Sequence, residues 1–162
     1  MNQIEKAQAE YESFLGQFGS LMLSTVDVQG LPNASYTPFV MDAEKRLYIY
    51  VSGLATHTKN IEINPQLSVL FIEDEAQTKQ IFARRRLSFD CDANLLIRDT
   101  PEWIEIVEKF QEKFGEIIEM LRSLPDFRIF QLTPTRGRFV IGFGAAYQIS
   151  GDNLNQLTQI TN

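Results

Sequence analysis

Thr56-His57-Thr58-Lys59 gathers two hydroxyls, an imidazole and an ammonium in four consecutive residues. They fall where a short helix is expected to begin, after the small polar turn Ser52-Gly53 and before Asn64-Pro65. Asn64-Pro65 stops the helix because the residue before a proline is pushed out of the α region. Free N–H groups and the dipole at a helix start favour an anion, so this stretch reads as a site for a cofactor carrying phosphate or carboxylate. His57 has a plainer reading too, as a lone histidine that caps the turn or bonds a neighbouring carbonyl. A second basic cluster, Arg84-Arg85-Arg86, stands in an otherwise acidic chain. The run Gln80 to Phe89 alternates like a strand, so Arg85 should point away from Arg84 and Arg86. That alternation weighs against a nucleic-acid patch.

Other chemistry is excluded by composition. The chain holds one histidine and one cysteine, Cys91, so it has no internal disulfide and no metal site built from several histidines or cysteines. No nucleophile elbow, Walker loop, dinucleotide fingerprint or H-E-x-x-H pattern is present. Glu73-Asp74-Glu75 lacks a partner histidine and reads as a solvated turn. With no self-sufficient set of acid, base and nucleophile, any catalysis needs a cofactor to carry it. A net charge of −6 opposes bulk attraction to nucleic acid or an anionic membrane. No apolar run approaches the ~20 residues of a membrane span. The start, MNQIEKAQAEYESF, lacks the apolar core of a signal peptide, and the expected location is cytoplasmic.

The elements that must position these groups follow from periodicity. Residues 3 to 18 have helical spacing and read as a core-packing helix. Ser20 to Asp27 and Asn33 to Met41 read as strands around a turn at Gln29-Gly30. On the second, Ser35, Thr37 and Phe39 share one face and Tyr36 the other, while Pro38 marks an edge or a bulge. Leu47 to Val51 is a third strand, and Leu67 to Ile72, apolar on both faces, suits the middle of a sheet. Thr100-Pro101-Glu102 is a strong helix start for an amphipathic helix reaching about Arg122, with Trp103 in the core. Phe127 to Leu132 and Arg138 to Ile149 read as the last two strands, and residues 151 to 162 as a loose polar tail. Short strands joined by tight turns suggest an antiparallel meander or barrel.

Three groups of residues then carry a resemblance. LATHTKNIEINP (Leu54 to Pro65), IFAR (Ile81 to Arg84) and RFVIGFGAAY (Arg138 to Tyr147) resemble motifs of the pyridoxamine 5′-phosphate oxidase-like split-barrel family, within it most nearly the HugZ/HutZ-type haem-utilisation branch. The resemblance spans roughly residues 18 to 149. It implies an α+β, mainly β, fold: a six-stranded antiparallel split β-barrel with flanking helices, working as a homodimer. Residues 1 to 150 would form one domain, with the N-terminal helix at 3 to 18 and the barrel at 20 to 149. In flavin-binding relatives FMN lies in a groove between subunits. By motif position, Thr56, His57, Thr58 and Lys59 would take the phosphate side. Ser35, Tyr36 and Thr37 would lie along the ring, with Gln80, Arg84 and Arg86 nearby. The cofactor is FMN or haem. His57 stands where flavin relatives often carry a lysine, and the histidine that haem-degrading relatives use from a C-terminal segment has no counterpart after His57. An oxidoreductase, acting with FMN or on haem, is the leading expectation. A non-catalytic haem or flavin carrier is the alternative.

Overall fold

The structure, a computed structural model, describes residues 1–162. Its strands are β1 (Ser20–Val26), β2 (Pro32–Met41), β3 (Leu47–Ser52), β4 (Gln66–Ile72), β5 (Arg86–Leu95), β6 (Phe127–Gly142), β7 (Ala145–Ser150) and β8 (Gln156–Gln159). Its helices are α1 (Gln3–Phe14), α2 (Thr56–Ile63), α3 (Pro101–Phe114) and α4 (Ile117–Arg122). Every strand pairing is antiparallel. Six strands follow one another as β3-β2-β1-β4-β5-β6, and β6 pairs back to β3, which closes the barrel. β7 and β8 extend from the far half of β6. This is the mainly β, six-stranded antiparallel barrel with flanking helices that the family resemblance implies.

Burial explains the pattern of each strand. In β1, Leu21, Leu23 and Thr25 turn inward and Met22 stays 45% exposed. β3 is apolar on both faces because both are covered. Leu47, Ile49 and Val51 enter the barrel core, while Tyr48 and Tyr50 lie in a second core with α3. β2 pairs with β1 as far as Pro38 and with β3 only from Phe39 onward, so the proline sits where the strand has one open edge. α1 starts with a capping box of Asn2 and Glu5 and buries Ala7, Tyr11 and Phe14. α3 starts as expected, with Thr100 accepting from the Trp103 N–H and Pro101 at its first position.

Four expectations need correction. The helix predicted to reach Arg122 is two helices, because Gly115 at φ +80° ends α3 before α4 begins. Strand character does not start at Gln80: Ile81–Ala83 is a 3₁₀ turn in which the Phe82 N–H donates to the Gln80 side chain, and β5 begins at Arg86. Arg84 and Arg85 therefore precede the strand. The strands expected at 127–132 and 138–149 are instead one 16-residue strand, β6, followed by a hairpin at Phe143-Gly144 and then β7. The proline at 134 is accommodated opposite Cys91, where the β5–β6 register shifts. Residues 151–162 are not loose, because β8 pairs with β7 and buries Leu157, and Leu154 ahead of it is buried too. The Tyr11 hydroxyl donates to the Leu154 carbonyl and Lys45 Nζ to the Asn153 carbonyl, which anchors the segment. No helix is long and apolar enough to cross a membrane.

Candidate functional site

α2 is set on the barrel by one apolar and one polar contact. Ile61 joins the barrel core, and Asn60 Nδ2 donates to Thr25 Oγ1 over 3.0 Å, both residues being buried. The chain enters α2 through Gly53, whose N–H donates to the Asp126 carbonyl; a Cβ there would lie 2.9 Å from that oxygen, so a glycine is required. Ala55 at the N-cap offers no side-chain acceptor. Thr58 and Lys59 donate back to the Ala55 carbonyl, which leaves the Thr56 and His57 N–H groups without an intrahelical partner. The helix start is thus an open donor site next to the side chains singled out by the sequence.

His57 Nδ1 lies 2.8 Å from Ser35 Oγ, which brings the first turn of α2 onto β2. The imidazole is half-buried, and desolvation holds its pKa below the ordinary histidine value. At neutral pH it is therefore uncharged, with one ring nitrogen fixed by the serine. A serine and a histidine at this distance are the first half of a nucleophilic set, yet no carboxylate bonds the ring, so the orienting third member is missing.

The other predicted residues fall into two places. Tyr36 points outward, 58% exposed, next to Ser35. Thr37 turns into the barrel and its hydroxyl donates to the Pro38 carbonyl. Thr56 and Lys59 are exposed, whereas Thr58 is fully buried and its hydroxyl has no partner. Gln80, Arg84 and Arg86 gather elsewhere. Ser35 is level with Leu23, Val69 and Phe89, while Arg86 stands opposite Ile72. That puts Arg86 three strands around the barrel and roughly 10 Å further along it. Within one chain the two groups do not meet.

The three arginines have different roles. Arg85 makes ion pairs with Glu10 of α1 and with Glu73, and its guanidinium lies 5.5 Å from the Phe14 ring centroid. Arg84 Nε donates to the Glu73 carbonyl, and its Nη1 is 3.8 Å from Glu75. Arg86 donates only to the Arg84 carbonyl and has no carboxylate partner, which leaves it the most available of the three. Glu73 is thereby a structural anchor for the loop, not the solvated turn expected. A cavity of about 390 Å³ opens beside these residues, between Glu10, Lys79, Gln80, Arg85 and Phe143. The aromatic tips Phe82 and Phe143 stand 83% and 75% exposed.

Sequence reasoning named Ser35 and His57 but not their pairing, and it missed Asn60 and Thr25. The available signal was modest: Asn60 precedes Ile61 on the covered side of a helix whose other residues are mostly polar. Cys91 is buried among apolar neighbours and next to Asp90 and Asp92, which drives its thiol pKa up and leaves it inert, as its sequence context implies.

The comparisons agree with this architecture. The family profile described as pyridoxamine 5′-phosphate oxidase matches residues 7–141. The haem oxygenase HutZ of Vibrio cholerae is 46% identical over 149 residues, 92% of this chain and 84% of that protein. The crystal structure of HutZ, described as a haem storage protein, superposes with a TM-score of 0.78 at 42% identity, covering 83% of this chain and 96% of that one. Campylobacter jejuni ChuZ superposes with a TM-score of 0.86 at 33% identity, covering 96% of this chain and 63% of that one. The chain belongs to the pyridoxamine 5′-phosphate oxidase-like split-barrel family, in its HutZ-type haem-utilisation branch.

Proposed function

We propose that this protein binds haem in a groove between two copies of its barrel and oxidises it as part of haem utilisation in the cytoplasm. The observation that carries this reading is the 46% identity to a haem oxygenase across 92% of the chain. The residues present fit such a ligand. Arg86 is a half-buried guanidinium without a carboxylate partner, suited to a propionate. Phe82 and Phe143 offer exposed aromatic faces, Phe143 at the cavity that Gln80 and Arg85 also line. His57 is kept neutral by burial, and Ser35 fixes its orientation through one ring nitrogen. When bound, haem supplies the iron that activates O₂ and the ring that is oxidised. The protein then holds the carboxylates, orients the ring and limits water. A second copy brings the α2 and β2 group of one chain opposite the Gln80, Arg84 and Arg86 group of the other, which is the reason for proposing a homodimer.

A second reading keeps FMN as the ligand. The uncapped start of α2, with open Thr56 and His57 N–H groups and the nearby Lys59, favours it, because a phosphate would complete that helix end. Titration with haemin and with FMN separates the two. Saturable haemin binding with a Soret band supports the proposal, and saturable FMN binding with no haemin binding refutes it. Reductant and O₂ then distinguish turnover from carriage: a biliverdin-like product marks an enzyme, intact haem a carrier. An Arg84→Ala, Arg86→Ala double variant that kept full haemin affinity would overturn the placement of the site. Light scattering tests the dimer.

A further inference from the structure

His57 is the only histidine in the sequence, and its two ring nitrogens stand in different surroundings. Nδ1 lies 2.8 Å from Ser35 Oγ. Nε2 takes part in no hydrogen bond of the fold and is not among its buried unpartnered atoms, so it opens to solvent. The ring also stands at a gap in the barrel wall. β2 pairs with β1 all along the stretch around Ser35, but its other edge meets β3 only from Phe39 onward. The helix that carries His57 is itself fixed, by Ile61 in the barrel core and by the Asn60–Thr25 bond.

A metal-ligating histidine almost always donates its second ring N–H to an oxygen, which sets the tautomer and leaves the other nitrogen with a free lone pair. The Ser35–His57 contact has that form. With the proton on Nδ1 and donated to Ser35 Oγ, the lone pair of Nε2 is available, and desolvation favours the neutral ring that ligation needs. No group of three or more histidine, cysteine, aspartate or glutamate side chains comes together in the fold, so a bare cation has no site. One protein nitrogen suffices, however, for an iron whose other ligands come with its porphyrin. The one thiol is no competitor, because Cys91 is 3% exposed within the barrel core.

We propose that Nε2 of His57 is the axial protein ligand of haem iron and that Ser35 positions the ring for it. The inference rests on haem as the ligand of this protein. Nε2 donates its lone pair to the iron and displaces a water molecule from it, Nδ1 keeps its proton, and nothing is oxidised or reduced in the step.

A single histidine allows a test that needs no substitution. The full chain is produced with ordinary histidine and with histidine carrying the heavy nitrogen isotope, loaded with haemin and reduced with dithionite. Resonance Raman spectra of the two preparations are then compared. The iron–nitrogen stretching band should move to lower frequency on labelling, because His57 alone carries the label. Ser35→Ala should keep a label-sensitive band at lower frequency than the parent's, since the Nδ1 proton has lost its acceptor. His57→Ala should bind haemin about tenfold or more weakly, and added imidazole should restore the Soret position of the parent. Saturable haemin binding with a label-insensitive spectrum overturns the ligand assignment and leaves haem binding standing. An unmoved band in Ser35→Ala overturns the role of the serine, and a chain that binds no haemin removes the ligand assignment together with the haem function.

Discussion

Replacing Thr25 with valine removes one hydroxyl from the contact that seats α2 on β1. Asn60 Nδ2 donates to that hydroxyl over 3.0 Å, and the two residues are 4% and 0% exposed. Valine has nearly the same shape, so Thr25→Val creates no cavity; it strands a buried amide donor instead. The penalty is that of an unsatisfied buried group, about 1–3 kcal/mol. For a chain of this size that lowers the thermal midpoint by roughly 2–10 °C. Asn60→Leu strands the Thr25 hydroxyl in the same way. In the double variant both polar groups are gone, so its loss should fall short of the sum of the single losses by about 0.5–3 kcal/mol. Urea unfolding of the four proteins measures this cycle. Strict additivity, or a Thr25→Val protein as stable as the parent, would refute the claim that this bond fixes α2 and, through it, His57.

Other perturbations test separate parts of the argument. His57 is held neutral by burial while its unfolded form titrates normally, so between the ordinary histidine pKa and the lower folded one only the unfolded chain takes up the proton. Stability should therefore fall as pH drops below about 6.5, and His57→Gln should flatten that slope in urea titrations. Gly137→Ala would place a Cβ 2.7 Å from the Phe89 ring and 3.0 Å from the Ser88 carbonyl, so it should cost about 1–3 kcal/mol in chemical unfolding. Arg85→Ala should lower the thermal midpoint, because it breaks contacts to Glu10, Glu73 and Phe14, yet leave haemin affinity near that of the parent. Arg86→Ala should do the reverse, with affinity reduced about tenfold by calorimetry and little change in midpoint.

What could be read from the sequence was whatever depended on local pattern. The alternation of Leu21 and Leu23, the Thr100-Pro101 helix start and the Asn64-Pro65 stop each act within a few residues, and each is where it was expected. The misses came from contacts made at long range. Gln80 to Arg85 alternates by coincidence, and the exchange of backbone and side-chain bonds between Glu73 and Arg85 decides that it is a loop. Thr133-Pro134-Thr135 looks like a break, but a register shift on the neighbouring strand absorbs the proline. β8 is mostly polar because it sits at the end of the sheet, with Leu157 as its one buried residue. At the site, the residue types were visible. That Ser35 meets His57, and that Arg85 is structural while Arg86 is free, depended on how segments 22 or more residues apart come together.

Barrel closure has a consequence for how the chain is made. β3 is completed only when Leu47 pairs with Leu132 and Ser52 with Phe127, partners synthesised long after it. Until β6 leaves the ribosome, the sequence LYIYVS has an unpaired edge and is apolar on both faces. Such an edge is a template for pairing with another nascent chain, and pairing over so long a sequence separation is slow. Translation that stalls or terminates between β3 and β6 should therefore yield aggregates, whereas chains that extend past β6 bury the same strand at the centre of the fold.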